Sequence, residues 1–241
     1  MVKTKMPKTG KTKLIEQLVV GSLIGAILSF VVAKLEWRPP SLLAANINHF
    51  DLDVEWNRVS PALIIWFIFF FYWSFASRNS APTMSSESRA STYFHQLALN
   101  AALMLLFLPV PRFTGWFLPH RFHFLVAVGV TIQAAFVLLA VWARRHLGRN
   151  WSADVRIGEG HELVRSGPYK LLRHPIYTAM LGMFLGTAIA SSQYHALLGL
   201  SILVAAYLRK TRLEERILRQ TFGADFHAYR QHTWALVPLL F

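Results

Sequence analysis

The residues of this chain that could do chemistry begin with a polar segment, residues 166–177, placed directly before a long apolar run. It contains Arg173, His174 and Pro175 in succession. Because the residue before a proline is disfavoured in a helix and proline suits the first helical position, we expect a helix to begin at Pro175. The backbone N–H groups of Ile176 and Tyr177 would then be free to bind an anion beside Arg173 and His174. The segment predicts an anion site at the start of a helix.

A second charged segment, residues 212–216, contains Arg212, Glu214 and Glu215. Glutamates on a helix surface often only pair with arginines three or four residues away, and that interpretation accounts for at least one of these two. The helix that carries them is expected to end near Gly223, because glycine commonly caps the C-terminal end of a helix.

Apolar stretches predict the helices that position both segments. Four stretches approach the roughly 20 residues needed to cross about 30 Å of hydrocarbon. They are Leu14–Ala33, Val59–Ala76, Phe94–Val110 and Phe124–Ala143. Two shorter ones, Ile176–Ala190 and His195–Leu208, are joined by four polar residues. So short a connection predicts an antiparallel helical hairpin, which would bring Glu214 and Glu215 back to His174.

The distribution of basic residues orients these predicted spans. With the N-terminus inside, the inside segments are 1–13, 77–92, 144–175 and 209–241, and the outside loops are 36–58 and 109–123. The inside segments contain 20 Lys and Arg, and the outside loops contain four. The positive-inside rule therefore predicts cytoplasmic termini and a cytoplasmic position for both charged segments. We expect an all-α, polytopic transmembrane bundle in one membrane domain, 1–241, with N-terminal spans in 1–143 and a functional half in 144–241.

The amino-acid composition limits the classes of protein and the kinds of site that are possible. Of 241 residues, 54% are hydrophobic and 15% are charged, whereas soluble domains average about 25% charged residues. The net charge of +13 does not indicate nucleic acid, because the basic residues lie beside apolar runs and suit anionic lipid instead. The absence of cysteine excludes disulfides and thiolate metal sites. The ten histidines lack credible ligand spacing, so we expect no metal site.

Taken together, the motifs resemble the superfamily of isoprenylcysteine carboxyl methyltransferases and phospholipid methyltransferases, which are integral membrane enzymes. The resemblance runs from about residue 147 to the C-terminus. The matching residues are Gly167-Pro168-Tyr169, Arg173-His174-Pro175 with Tyr177, Glu214-Glu215, Phe222-Gly223 with Phe226 and Tyr229, and Val237-Pro238. The sequence Asn150-Trp151-Ser152 also resembles bacterial members, which implies a bacterial inner membrane.

The resemblance implies S-adenosylmethionine as the cofactor, held in a cytosolic pocket of the C-terminal half. Arg173 and His174 would bind its carboxylate, and Glu215 would accept hydrogen bonds from its ammonium or ribose groups. Aromatic rings could flank the adenine or the sulfonium. The candidates for that role are Tyr169, Tyr177 and Trp151.

The methyl acceptor decides the catalytic residues, and the sequence leaves it open. A carboxylate acceptor needs only a cation to orient it, for which Arg212 and Arg173 are candidates. An amine, thiol or hydroxyl acceptor must lose a proton, which Glu214 or His174 could take. We expect a lipophilic small molecule or a lipidated substrate that enters from the membrane lipids.

Two other functions remain as alternatives. Sterol reductases have a similar C-terminal half but use a nicotinamide cofactor, NADPH. A transporter or non-catalytic membrane scaffold would be expected to carry ionisable residues within its spans, and these spans have few. The oligomeric state is not readable from the sequence.

Overall fold

The computed structural model describes residues 52–78, 84–85, 88–107, 124–151, 156–157 and 162–238. These residues are mostly helical, so the predicted all-α class is confirmed at that level. Within them the α-helices are α1 (Leu52–Ala76), α2 (Arg89–Phe107), α3 (Phe124–Leu147), α4 (Pro175–Ser191) and α5 (Tyr194–Gln231). Short 3-10 helices cover Gly148–Asn150 and Gly167–Lys170. The two-residue strands β1 (Met84–Ser85) and β2 (Arg156–Ile157) pair antiparallel, with Met84 opposite Ile157.

Three of the four long apolar stretches overlap described helices. Val59–Ala76 lies within α1, Phe94–Val110 overlaps α2, and Phe124–Ala143 lies within α3. The predicted first span, Leu14–Ala33, falls outside the described residues. In the part of the chain that the structure describes, α3 alone is long and apolar enough to cross a membrane. The apolar part of α1, Pro61–Ala76, and helix α4 are shorter apolar helices.

Helices α4 and α5 both run beyond the apolar stretches that predicted them. They are separated by Ser192, which has a left-handed backbone with φ 57° and ψ 21°, and by Gln193. The predicted helix end at Gly223 is correct for the helical segment that carries Glu214 and Glu215. Gly223 has φ 50° and ψ −120°, a conformation that glycine adopts readily. A second helical segment follows it directly, so α5 consists of two segments joined by a kink at Gly223.

Small residues let α3 and α4 pack almost backbone to backbone. A Cβ added to Gly186 would lie 2.5 Å from the carbonyl oxygen of Gly129 and 2.8 Å from the backbone nitrogen of Gln133. Helix α1 joins them through Trp66, whose Nε1 donates a 3.1 Å hydrogen bond to Thr187 Oγ1. The position of α4 is therefore fixed by tight apolar packing.

Helix α5 is fixed on its other side by α2. A Cβ on Gly199 would lie 2.8 Å from the carbonyl oxygen of Ala102, so these helices also approach closely. His195 Nδ1 lies 2.5 Å from the Leu105 carbonyl oxygen. The first turns of α5 are thus held closely against α2.

Candidate functional site

The turn before α4 adopts the conformation that its sequence predicts. Gly167 has φ 57° and opens the 3-10 helix that ends at Lys170. His174 is non-helical, with φ −127° and ψ 59°, and α4 begins at Pro175. The predicted helix start is therefore correct.

The C-terminal tail binds this turn through backbone hydrogen bonds. Arg173 N donates to Trp234 O at 2.8 Å, and His174 N donates to Ala235 O at 3.1 Å. Trp234 N donates in return to Leu171 O at 3.0 Å. These bonds fix the backbone on both sides, so they also fix the positions from which the Arg173 and His174 side chains extend.

Those two side chains meet the paired glutamates of α5. Arg173 Nε donates to Glu215 Oε1 at 2.7 Å, and His174 Nδ1 lies 3.2 Å from Glu214 Oε2. His174 Nε2 lies 3.7 Å from Glu215 Oε1. The exposed fractions are 7% for Arg173, 5% for His174, 8% for Glu215 and 25% for Glu214. We call these four residues the charged cluster.

The charges of the cluster perturb one another. Burial favours the neutral form of Glu215, but His174 and Arg173 outweigh it and lower its pKa to about 2. Burial also opposes ionisation of Glu214, whose pKa is nevertheless lowered by its hydrogen bond to His174. For His174, burial acts to lower the pKa, and the two glutamates raise it above its usual value. Both carboxylates therefore stay ionised near neutral pH, and His174 favours its protonated form.

Tyrosine rings complete the surroundings of the cluster. Tyr177 stacks on His174 with ring centroids 5.4 Å apart and an angle of 1° between planes, and it hydrogen bonds to Glu214. Tyr169 is buried beside Trp151, and burial raises its pKa. The Tyr169 carbonyl accepts a 2.7 Å hydrogen bond from Tyr229. These rings stiffen the site and supply flat surfaces at its edge.

An open depression of about 360 Å³ borders the cluster. Its lining residues are Arg173, His227, Arg230, Gln231, Thr233 and Trp234. Arg230 also lies 3.7 Å from Glu215, between Arg230 Nε and Glu215 Oε2. The depression is therefore basic on the side that meets the cluster.

Most of the predicted site residues come together, and one does not. Arg173, His174, Tyr177, Glu214 and Glu215 are neighbours. Arg212 is instead exposed, because two helical residues such as 212 and 214 point about 200° apart. The structure therefore does not place Arg212 at the cluster.

The predicted anion site at the start of α4 is incorrect in one respect. Tyr177 N–H is not free, since it donates to the His174 carbonyl at 3.0 Å. Any anion at this turn would have to be bound by side chains rather than by that N–H group.

Several residues around the site have no role that their sequence pattern predicts. Arg173 donates to the carbonyl of Thr233, and buried Arg144 donates to the carbonyls of Ala76 and Gly148 and lies over the Trp151 ring at 4.7 Å. Phe226 and Tyr229 of the C-terminal motif are three residues apart, and both are buried. Their aromatic side chains are the one feature of the sequence that could have indicated that this region packs on the site. The backbone pairing itself has no signature in side-chain types.

Comparisons with known proteins found one matching family model and several similar sequences. The family model described as phospholipid methyltransferase matches residues 124–225. Protein-S-isoprenylcysteine O-methyltransferase A of Arabidopsis thaliana is 24% identical over 169 residues, which cover 67% of this chain and 82% of that protein. The cobalt-zinc-cadmium resistance protein CzcN of Cupriavidus metallidurans is 37% identical over 97 residues, 39% of this chain and 44% of its own length.

Among solved structures, the eukaryotic intramembrane Ras methyltransferase (isoprenylcysteine carboxyl methyltransferase) matches 97% of this chain and 98% of its own, at 16% identity and a TM-score of 0.45. The family and sequence matches confirm the resemblance to the isoprenylcysteine carboxyl methyltransferase and phospholipid methyltransferase superfamily that the motifs predict.

Proposed function

We propose that this protein is a membrane-embedded methyltransferase that uses S-adenosylmethionine and acts on a lipophilic acceptor at the cytosolic face. The observation that carries the proposal is the charged cluster, in which four ionisable side chains from distant parts of the chain are largely buried together. Buried ion pairs are a poor source of stability, because desolvation offsets their attraction. Perturbed, buried charges of this kind concentrate at functional sites.

The cluster fits the cofactor chemically. His174 Nε2 is buried, and its nearest carboxylate oxygen, Glu215 Oε1, lies 3.7 Å away, too far for a hydrogen bond. A bound polar group at this nitrogen would therefore relieve a cost of burial. Arg173 and His174 suit a carboxylate, and Glu215 suits an ammonium or a ribose hydroxyl. When bound, S-adenosylmethionine would supply an electrophilic methyl group on its sulfonium.

The chain's own contribution is positioning and exclusion of water. His174, held by the tail and stacked on Tyr177, would orient ligands with little freedom of its own. Arg173 is the cation of the cluster that could orient a carboxylate acceptor. For an acceptor that carries a proton, Glu214 is the more exposed carboxylate and the group that could take it.

Surface composition supports the membrane setting. The outer faces of α1 and α3 expose large apolar side chains, including Phe71 at 68% and Leu138 at 70%. Large exposed apolar surfaces mark sites of contact with a membrane or another protein. A bilayer around these helices would cover it and would deliver a lipophilic acceptor sideways to the site.

Calorimetry of the purified full chain in detergent tests the cofactor assignment. We expect saturable binding of S-adenosylmethionine and loss of that binding, by at least about tenfold in Kd, in Glu215→Ala and in His174→Ala. Glu162→Ala, at an exposed carboxylate, is the matched control and should bind normally. Unchanged affinity in the two cluster variants, or saturable binding of NADPH in place of S-adenosylmethionine, would overturn the proposal.

A further inference from the structure

His95 is a buried polar residue that the proposed mechanism does not use. It lies on α2 with 6% of its surface exposed, and its Nδ1 is buried without a hydrogen-bond partner. Another buried histidine, His195, pairs its Nδ1 with the Leu105 carbonyl and leaves its Nε2 without a partner, but only His95 contacts the tyrosine rings described next. Buried polar atoms are nearly always hydrogen-bonded, so a buried ring nitrogen without a partner calls for an explanation.

A row of rings connects His95 to the charged cluster. The His95 ring packs edge-on against Tyr207, with centroids 5.3 Å apart. Tyr207 lies 4.8 Å from Tyr177, which stacks on His174 at 5.4 Å. The row passes from α2 across α5 to the start of α4, so the same polar region reaches from the cytosolic cluster toward the predicted span of α2.

Electrostatic interactions extend along the same path. His95 interacts with Glu214 of the cluster and with Lys210, which is itself buried. Lys210 also interacts with Glu214. His95 therefore lies within electrostatic range of Glu214, the cluster residue that also hydrogen bonds to Tyr177.

We infer that His95 binds the polar head group of the methyl acceptor, with the apolar body of that molecule lying among the helices on the membrane side. An imidazole can accept a hydrogen bond through one nitrogen and donate through the other, so the head group is one that forms such a bond: a thiol, an amine or a carboxylate. His95 then determines acceptor specificity, whereas the cluster binds the cofactor. This inference rests on the proposed function.

Steady-state methyl transfer to three lipophilic probes, dodecanethiol, dodecylamine and dodecanoic acid, tests the assignment. We expect the wild-type chain to methylate at least one of them. His95→Phe keeps the ring contact with Tyr207 but removes the hydrogen bond, so the KM for that probe should rise about tenfold, the cost of one lost hydrogen bond in a buried site. The Kd of S-adenosylmethionine should not change. His95→Gln restores a hydrogen-bonding group and should give an intermediate KM.

His195→Phe is the matched control, since it removes a buried histidine from the interface of α2 and α5 without touching the row of rings. Its KM for the probe should equal that of the wild type. A wild-type KM in His95→Phe, an equal loss of cofactor affinity in that variant, or no methylation of any probe by the wild type would overturn the inference. If His95→Phe does not fold, a wild-type KM in His95→Gln would overturn it. Failure of the wild type to bind S-adenosylmethionine would instead overturn the proposed function.

Discussion

The interface between α3 and α4 and the charged cluster at the start of α4 are both buried, but the first consists of small apolar residues and the second of charged residues. The interface uses glycines, with Gly129 and Gly186 in near backbone contact. The cluster uses Arg173, His174 and two glutamates. Close apolar packing stabilises a fold directly, whereas buried charges at best repay their own desolvation. The difference indicates that the interface stabilises the fold, and it supports our proposal that the cluster serves binding.

We expect the largest loss of stability from a substitution in the interface between α3 and α4. Gly186→Leu would push a side chain into the backbone of α3, where even a Cβ lies 2.5 Å from the Gly129 oxygen. We expect a loss of roughly 3 kcal/mol or more in the free energy of unfolding, at the upper end for overpacked sites. Thermal unfolding followed by circular dichroism measures it. Ala127→Leu, at an exposed position of α3, should unfold like the wild type, and equal unfolding temperatures for all three proteins would contradict the account.

We expect a smaller loss of stability from the charged cluster when the pH is lowered. The pKa of Glu215 is about 2 in the folded protein, below its ordinary value of 4.5. Its ionised form therefore stabilises the fold fully above pH 4.5, and this contribution is lost as the pH falls toward 2. A shift of this size corresponds to at most roughly 3 kcal/mol. His174 acts in the opposite sense, because its raised pKa adds stability below its ordinary value of 6.5 that is lost as the pH rises through the folded value.

Denaturant unfolding at pH 3 and pH 5 tests this dependence. The wild type should lose more stability on acidification than Glu215→Gln, in which the titrating carboxyl is absent. Glu162→Gln, at an exposed position, should behave like the wild type. Identical acid sensitivity in wild type and Glu215→Gln would show that Glu215 is not held ionised by its neighbours.

The part of the site that depends on local rules could be predicted from the sequence. Pro175 marked the start of α4, because proline fixes the backbone angle of a first helical residue. The short connection after α4 implied that His174 and the glutamates of α5 lie close together, and they do.

The parts that depend on distant backbone contacts could not be predicted. The pairing of Arg173 and His174 with Trp234 and Ala235 is made by main-chain atoms, which leave no trace in residue types. The helical segment that follows Gly223 was not predicted, although the break at Gly223 itself follows from the glycine. The exposure of Arg212 follows from helical periodicity once Glu214 is known to face the cluster.

Replacing the buried pair by apolar residues separates stability from binding most directly. In the double variant Arg173→Met with Glu215→Leu, both charges of the 2.7 Å pair are removed together, so neither is left buried and unpaired. The account predicts a free energy of unfolding within about 1 kcal/mol of the wild type or higher, together with loss of saturable S-adenosylmethionine binding in calorimetry. A double variant that binds the cofactor with wild-type affinity would contradict the central claim.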